Sequence, residues 1–200
     1  MSNKPPVGII GIGLMGSACA RRLIAAGHAV IGYDVDVAKS AALAALGCRP
    51  ASSITALARD CNTVVLAVFN TDQVEAACDA LLAARPANLP PLTAVCVSTC
   101  DPDRIAALVR RLPDARMHFV EMPVSGTSEQ LAHGAALGLV GGDPAAAENV
   151  NDVLDALCPR RHHLGAAGNG GRAKLAINLI LGINRAALAE GLVFAERMGL

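Results

Sequence analysis

A glycine-rich turn near the N-terminus constrains the fold of this chain more than any other feature. Residues 11–16 have the pattern GxGxxG, directly after the short apolar run 7–10 and at the start of a helical pattern. Between a buried strand and a helix, this pattern is the fingerprint of dinucleotide binding. Gly11 permits the tight turn, Gly13 lets the backbone approach a pyrophosphate, and Gly16 lets the helix pack closely on the strand. Because phosphates bind at the positive end of a helix, we predict a dinucleotide site here.

An acidic residue at the end of the second predicted strand extends this motif. Asp34 follows the strand at 29–33, close to the distance of about 20 residues that the fingerprint requires. A carboxylate there accepts hydrogen bonds from the ribose hydroxyls of NAD and repels the 2′-phosphate of NADP. The next residues, 35–37, supply no arginine and add a second acid, Asp36. The sequence therefore predicts NAD as the cofactor in preference to NADP.

The rest of the chain alternates between short apolar runs and helical patterns. Continuous apolar strands joined through helices are typical of parallel β-α-β units, with helices on both faces of the sheet. We predict an α/β fold with a Rossmann-type, doubly wound, mostly parallel sheet, followed by a long C-terminal helix. Further strands are predicted at 63–68, 94–97, 117–121, 136–140 and 162–164, and helices at 37–46, 53–58, 72–84, 103–112 and 144–157. Residues 122–135 are predicted to be a loop at a strand end, where open α/β sheets bind ligands.

The character of the sequence changes after the predicted sheet. Residues 173–200 contain no proline and only three glycines, and their apolar side chains surround most of a helix. Such a helix is packed on several sides. We predict a cofactor-binding domain over 1–168 and a long helix within 169–200. The far half of this helix is expected to pack against the same helix of a second copy, giving a homo-oligomer, or against a further domain.

One lysine stands out among the three in the chain. Lys174 lies near the start of the long helix, where a positive charge opposes the helix dipole and does not serve helix stability. Asn178, four residues on, projects from the same face. The pair is either part of a ligand site or a polar stripe whose side chains reach solvent along an apolar helix; residue spacing leaves both readings open.

Composition excludes several classes of function. Lys and Arg balance Asp and Glu at 17 each, so no basic field attracts nucleic acid or an anionic membrane. A membrane span needs about 18 unbroken apolar residues, and no stretch of this sequence is that long. Aromatic residues, at 2%, are too few for a base-stacking surface. We expect a small-molecule substrate, and neither nucleic acid nor a membrane as a partner.

The cysteines indicate a reducing cellular compartment rather than a metal or redox site. Seven are scattered along the chain without a CxxC pair, mostly inside apolar runs. They are expected to be reduced, structural residues of a cytoplasmic protein. Cys158 with His162 and His163 could form the corner of a metal site, but the sequence offers no second cluster of ligands. We therefore predict no metal site.

Four blocks of sequence stand in an order typical of one enzyme family. They are 8–16 (GIIGIGLMG), 98–102 (STCDP), 122–127 (MPVSGT) continued through 134–142, and the glycine-rich 165–178 with its lysine and asparagine. Through these blocks essentially the whole chain resembles the 3-hydroxyisobutyrate dehydrogenase family of β-hydroxyacid dehydrogenases. That family continues past the long helix into an all-helical domain, so the resemblance implies that 169–200 is an interdomain helix at the start of a truncated domain.

The resemblance also implies an activity and a set of site residues. The expected enzyme is an NAD(P)-dependent oxidoreductase that reversibly oxidises the hydroxyl of a small 3-hydroxy acid by hydride transfer to the nicotinamide. Lys174 is implied as the catalytic acid/base. Substrate binding is implied for Ser125, Gly126, Thr127 and Asn178. Cofactor binding is implied for Gly11, Ile12, Gly13, Leu14, Met15, Gly16, Asp34, Val68, Phe69, Asn70, Gln73 and Thr99.

The chain departs from the family pattern at a few positions. Val68 and Phe69 stand where a Leu-Pro is usual, Thr127 stands where a second glycine is usual, and Ile177 stands where another asparagine is frequent. These differences concern the choice of substrate. Two alternatives stay open: a cofactor-binding fragment without turnover, and a related semialdehyde or imine reductase of the same superfamily. Lys174 favours hydroxyacid chemistry over imine reduction, which needs a different proton donor.

Overall fold

A nine-stranded sheet forms the centre of the protein in a computed structural model that describes residues 4–200. The first three residues of the predicted domain 1–168 lie outside this range. The strands are β1 (Val7–Ile10), β2 (Val30–Tyr33), β3 (Arg49–Pro50), β4 (Thr63–Leu66), β5 (Leu92–Cys96), β6 (Met117–Glu121), β7 (Val124–Ser125), β8 (Leu137–Gly142) and β9 (Arg160–His163). The helices are α1 (Leu14–Ala25), α2 (Val37–Ala44), α3 (Ile54–Asp60), α4 (Thr71–Ala84), α5 (Pro102–Arg111), α6 (Ser128–Ala132), α7 (Pro144–Glu148), α8 (Asn151–Leu157) and α9 (Asn169–Arg197).

The strand order creates a crevice above β1. The strands run β3-β2-β1-β4-β5-β6-β8-β7, with β9 beside β8, and β1 to β6 are mutually parallel. Strand β8 is antiparallel to β6 and to β7. Because the chain proceeds in opposite directions on the two sides of β1, helices leave a crevice at the carboxyl ends of β1 and β4. The predicted α/β, Rossmann-type, mostly parallel fold with a long C-terminal helix is confirmed.

Alternating side chains of the central strands fill two cores, one on each face of the sheet. Ile9 and Val65 pack with Leu23 of α1 on one face. Their neighbours Ile10 and Leu66 pack on the other face, with residues of α3 and α4. Every residue of β1 and β5 is buried, as expected for parallel strands covered by helices on both faces.

The structure corrects two local predictions. The predicted helix 144–157 is broken into α7 and α8, and Asn149 and Val150 lie between them. The predicted loop 122–135 contains β7 and α6. Helix α6 begins with a reciprocal capping box between Thr127 and Gln130, a short S/T-x-x-Q signal that is easily read as loop sequence.

The long helix α9 leaves the domain soon after its first turns. It begins at Asn169, four residues before the expected 173, and its buried residues are Gly170, Gly171 and Lys174. The apolar side chains of its far half are exposed, including Leu188 at 64% and Phe194 at 66%. Among the described residues, α9 is the one helix long and apolar enough to cross a membrane by length and composition, with a mean hydropathy of 1.4. Charged residues such as Arg185 and Glu190 interrupt the helix, so it still contains no run of 18 unbroken apolar residues.

Candidate active site

A cleft of about 790 Å³ lies at the carboxyl ends of β1, β4 and β5. It brings together residues from both ends of the sequence, from the glycine turn to the start of α9. Of the predicted site residues, the cleft is lined by Gly11, Gly13, Leu14, Met15, Asp34, Val68, Phe69, Gln73, Thr99, Gly126 and Lys174. The sheet topology accounts for this convergence, because parallel strands place all their carboxyl ends on one edge.

Each glycine of the turn has a separate steric reason. A Cβ on Gly11 would lie 2.5 Å from the carbonyl oxygen of Ala67, and the residue has a φ of +92° that favours glycine. A Cβ on Gly16 would lie 1.9 Å from the carbonyl oxygen of Gly11. At Gly13, by contrast, nothing lies within 4 Å of the added atom. Packing therefore requires Gly11 and Gly16, whereas Gly13 borders open space in the cleft.

The start of α1 is prepared for an anion. Gly13 is its N-cap and contributes no side-chain hydrogen bond, and the first turn carries no acidic residue. The N–H groups of a first helical turn have no partner within the helix. With the helix dipole, they favour a phosphate at this position. The open space beside Gly13 therefore fits the pyrophosphate of a dinucleotide.

Asp34 stands at the end of β2 and connects to the turn. Its Oδ2 accepts a hydrogen bond from the Ile12 N–H at 2.6 Å, and its Oδ1 accepts one from the Asp36 N–H at 2.9 Å. The side chain of Ile12 is buried in the core and does not line the cleft. Tyr33, Val35, Lys39 and Ile54 line the same end of the cleft but were not predicted as site residues. No motif identified them, because they meet only once β2, α2 and α3 are packed.

The segment after β4 forms one wall of the cleft through local hydrogen bonds. Asn70 caps α4 by accepting from the Gln73 N–H at 3.0 Å, and the Gln73 side chain accepts from the Phe69 N–H at 2.8 Å. Asn70 does not line the cleft, and its observed role is this cap. Phe69 is 90% exposed at the rim. The Ser98 hydroxyl donates to the Val68 carbonyl oxygen at 2.7 Å and ties this wall to the end of β5.

Lys174 lines the same cleft as the glycine turn. It is 9% exposed, and no hydrogen bond or ion pair to its ammonium is found within residues 4–200. Burial lowers the pKa of this amine from its ordinary value. The neighbouring Arg172 pairs with Asp103 at 2.6 Å and ties the start of α9 to that of α5. A buried lysine with an unengaged amine, facing a cofactor-sized cleft, is suited to proton transfer.

The predicted substrate-binding residues are only partly assembled. Gly126 lines the cleft with a φ of +145°, and Ser125 is half-buried next to it on β7. Thr127 is exposed and caps α6. Asn178 lies one turn beyond Lys174, is exposed, and does not line the cleft.

Comparison with known proteins gives a consistent family. The family described as the NAD binding domain of 6-phosphogluconate dehydrogenase matches residues 6–165. A Mycobacterium tuberculosis protein named "Probable 3-hydroxyisobutyrate dehydrogenase" is 32% identical over 97% of this chain and 65% of its own length. The L-threonate dehydrogenase of Cupriavidus necator is 31% identical over 97% of this chain and 66% of its own length. The chain thus spans between 54% and 67% of the length of these and other curated relatives.

A solved structure of the same kind of enzyme has a similar fold. The Mycobacterium tuberculosis 3-hydroxyisobutyrate dehydrogenase structure with L-serine superposes with a TM-score of 0.87 at 28% identity, covering 98% of this chain and 66% of that one. The glycine turn, Asp34 and the open space at Gly13 fit a nicotinamide dinucleotide. The resemblance to 3-hydroxyisobutyrate dehydrogenases is confirmed. The chain belongs to the family of NAD-binding domains described for 6-phosphogluconate dehydrogenase.

Proposed function

We propose that this chain supplies the cofactor domain, 1–168, and the interdomain helix, 169–200, of a 3-hydroxyacid dehydrogenase. The reaction is the reversible oxidation of the hydroxyl of a small 3-hydroxy acid. The observation that carries the proposal is the position of Lys174, buried in the same cleft as the dinucleotide-binding turn. The named relatives include dehydrogenases of 3-hydroxyisobutyrate and L-threonate.

Lys174 acts as the acid/base in this proposal. A neutral amine accepts the hydroxyl proton during oxidation and returns it during reduction. Burial supports this role, because it lowers the pKa of the amine and increases the neutral fraction near physiological pH. When bound, the nicotinamide supplies the hydride acceptor. Helix α9 holds the amine in the cleft that Val68, Phe69 and Thr99 also line.

The substrate carboxylate is proposed to bind beside Gly126. Ser125 supplies a hydroxyl and Gly126 a backbone N–H next to it, and Thr127 follows at the start of α6. Two hydrogen-bond donors on neighbouring residues suit a carboxylate. Asn178 is proposed to hold the substrate from α9, which requires its exposed side chain to be covered when the site is complete.

NAD is proposed to bind in preference to NADP. The Asp34 carboxylate is held at the end of β2 by the Ile12 N–H, and we propose that it accepts hydrogen bonds from the ribose hydroxyls. Lys39 lines the same end of the cleft and supplies a positive charge that a 2′-phosphate would attract. Asp34 contacts the glycine turn directly, so its charge is proposed to decide the preference for NAD. The positive charge of Lys39 is proposed to make that preference smaller.

The far half of α9 is proposed to pack against another protein surface rather than in a bilayer. Its exposed leucines and Phe194 form an apolar face of the kind that associates. Arg185 and Glu190 lie within the helix, and charged side chains there would be costly in a membrane. We propose a homo-oligomer through this helix. A cytoplasmic location is supported by seven cysteines that are all free and buried.

A second candidate is a cofactor-binding unit without turnover. The exposure of Asn178, away from the cleft, favours it, because the substrate half of the site is then incomplete in these 200 residues. A related reductase is the third candidate, since an Arabidopsis glyoxylate/succinic semialdehyde reductase is 29% identical over 97% of this chain. Each predicts a different substrate profile from that of a 3-hydroxyacid dehydrogenase.

The test is a substrate panel with both cofactors. Small 3-hydroxy acids, semialdehydes and cyclic imines are assayed with NAD(H) and NADP(H) by absorbance of the reduced nicotinamide. The 200-residue chain and the longest form that the gene encodes are both measured. Oxidation of 3-hydroxy acids with NAD supports the proposal. Cofactor binding without turnover by the 200-residue chain supports the second candidate for this chain, and preferential reduction of imines or semialdehydes supports the third.

A further inference from the structure

A buried acidic residue lies beneath the start of α9. Glu121, the last residue of β6, is 2% exposed. Its Oε2 accepts a hydrogen bond from the Gly168 N–H and its Oε1 one from the Gly171 N–H, both at 2.8 Å. The Gly170 N–H also contributes. Within residues 4–200 no ion pair to this carboxylate is found, so backbone N–H groups compensate for its burial.

The surrounding glycines leave room for this carboxylate. A Cβ on Gly141 would lie 2.6 Å from Oε2, and one on Gly171 would lie 2.8 Å from Oε1. A Cβ on Gly170 would lie 3.2 Å from the carboxyl carbon and 2.3 Å from the Leu139 carbonyl oxygen. Two backbone segments, at Gly141 and at Gly170 with Gly171, thus approach β6 and β8 so closely that a side chain would collide, which explains the Gly-Gly pair before Lys174.

Helix α9 lacks a cap of its own. Its N-cap is Gly168, which makes no side-chain hydrogen bond, and its first turn contains no acidic residue. The N–H groups of the N-cap Gly168 and of Gly171 at the third helical position, which a local side-chain cap would normally help to satisfy, are bound by Glu121 from the sheet instead. Its charge also complements the positive end of the helix dipole. One carboxylate therefore fixes where α9 begins.

The same face of the helix carries the amine. Gly170, Gly171 and Lys174 are the buried residues of α9, and positions three and four apart share a helix face. The contact with Glu121 therefore lies directly before Lys174 on the buried stripe. How deeply the Lys174 amine is buried at the cleft therefore depends on how firmly the first turn of α9 is held against β6.

We propose that Glu121 is a positioning residue that anchors the first turn of α9 and thereby holds Lys174 buried at the cleft. It acts through the helix and not as a proton donor to the substrate. The catalytic consequence rests on the proposed function of Lys174. The structural consequence does not, because the burial of an amine can be measured without turnover.

The test follows the three lysines of the full chain by NMR with ¹³C-labelled lysine. In Glu121→Gln, the first turn loses one hydrogen-bond acceptor, so it is held less firmly against β6 and water reaches Lys174. The titration midpoint of Lys174 is expected to rise toward about 10.4, while Lys4 and Lys39 serve as internal references. Exchange of the Gly170 and Gly171 N–H protons is expected to accelerate. Glu148→Gln, at an exposed position away from the cleft, removes the same charge and leaves the Lys174 midpoint unchanged.

A second variant covers the case in which Glu121→Gln does not fold. Gly171→Ala places a methyl group against Oε1 and displaces the carboxylate, while alanine is the better helix former. The Lys174 midpoint is expected to rise in this variant too. An unchanged midpoint in the folded variants, with or without faster exchange, overturns the proposal.

A kinetic arm separates this inference from the proposed function. Turnover in Glu121→Gln is expected to fall by roughly 10²-fold, as for small displacements of a catalytic group, with NAD affinity unchanged. A shifted Lys174 midpoint together with undiminished turnover would retain Glu121 as the anchor of Lys174 and reject the acid/base role of Lys174. Lost turnover with an unshifted midpoint would reject the anchor.

Discussion

The backbone N–H of Ile12 donates to the Asp34 carboxylate at 2.6 Å and joins the glycine turn to the end of the second strand. The two residues come from consecutive β-α units and fix the relative position of the phosphate-binding and ribose-binding parts of the cleft. Asp34 therefore has two consequences when changed, one for the shape of the turn and one for the charge at the ribose.

Asp34→Asn separates these consequences. The amide oxygen can still accept the Ile12 N–H, while the negative charge that repels a 2′-phosphate is removed. The ratio of NADP to NAD dissociation constants, measured by calorimetry, is expected to decrease. Lys39→Gln, at the same end of the cleft, is the opposite control and is expected to increase the ratio. Equal affinities for NAD and NADP in the unmodified chain would contradict the assigned preference.

Gly13 and Gly16 are expected to respond differently to alanine. Gly13→Ala meets no atom within 4 Å, so the fold is retained, but the methyl group occupies the place of the pyrophosphate and NAD affinity falls. Gly16→Ala collides with the Gly11 carbonyl oxygen, so thermal stability itself falls. Gly182→Ala, with open space around it on α9, is expected to leave NAD affinity unchanged and not to lower thermal stability, because alanine is the better helix former. Strong NAD binding by folded Gly13→Ala would reject the position assigned to the phosphates.

Local sequence signals were sufficient for the β-α-β core and the cofactor half of the cleft. The turn at 11–16 and the carboxylate at Asp34 follow the fixed spacing of one motif, and apolar strands such as β1 are buried at every residue. Helix α6 was missed because its capping box spans a five-residue helix, and the broken helix 144–157 was read as continuous because apolar spacing persists across Asn149.

The residues that sequence reasoning missed depend on distant contacts. Glu121 precedes its partners Gly168 and Gly171 by more than forty residues. The sequence around Glu121 does not distinguish its carboxylate from one at the end of any other strand. The only signal is the glycine pair at 170 and 171, far along the chain. Asn70 and Thr127 were predicted as ligand contacts, and their observed hydrogen bonds are helix caps; their roles toward cofactor and substrate stay predictions.

His28 is expected to make the fold sensitive to acid. Its side chain is 1% exposed, its ring nitrogens lack a hydrogen-bond partner in the part of the chain that the structure describes, and Nε2 lies 3.7 Å from the Asp152 carboxylate. Burial lowers its pKa, so the unfolded state binds the proton more readily. The free energy of unfolding should therefore fall as the pH drops below about 6.5.

Urea unfolding at several pH values measures this dependence. His28→Leu removes the buried imidazole and is expected to flatten the decline, whereas His162→Gln, at an exposed position, leaves it unchanged. An identical acid dependence in His28→Leu and the unmodified chain would show that other groups cause it.

The exposed half of α9 is expected to associate in solution. Leu188, Leu192 and Phe194 are 63–66% exposed, and folded monomers avoid contiguous apolar surfaces of this kind. Sedimentation of the 200-residue chain should give a species larger than a monomer, and Leu188→Gln with Leu192→Gln should reduce its size. A monomer of the unmodified chain at micromolar concentration, with the helix ordered, would contradict association through α9.

Burial of Lys174 has a stability cost as well as a proposed use. Burial lowers its pKa in the folded state, so at neutral pH the cost of burying the charged amine reduces the free energy of unfolding. This cost disappears as the pH rises above about 10.4, where the amine is neutral in the unfolded state as well. Lys174→Met should therefore raise the midpoint of thermal unfolding at pH 7, by about 2–4 °C for each kcal/mol gained. A lower midpoint, measured by calorimetry, would show that the amine stabilises the fold.

The most direct measurement is the turnover of Lys174→Met beside the unmodified enzyme, in the longest form that the gene encodes, with a 3-hydroxy acid and NAD. Turnover is expected to fall by at least about 10²-fold with NAD affinity unchanged, and the unmodified enzyme is expected to oxidise the substrate faster as the pH rises through the lowered pKa of Lys174. Near-normal turnover in Lys174→Met would contradict the assignment of Lys174 as the acid/base.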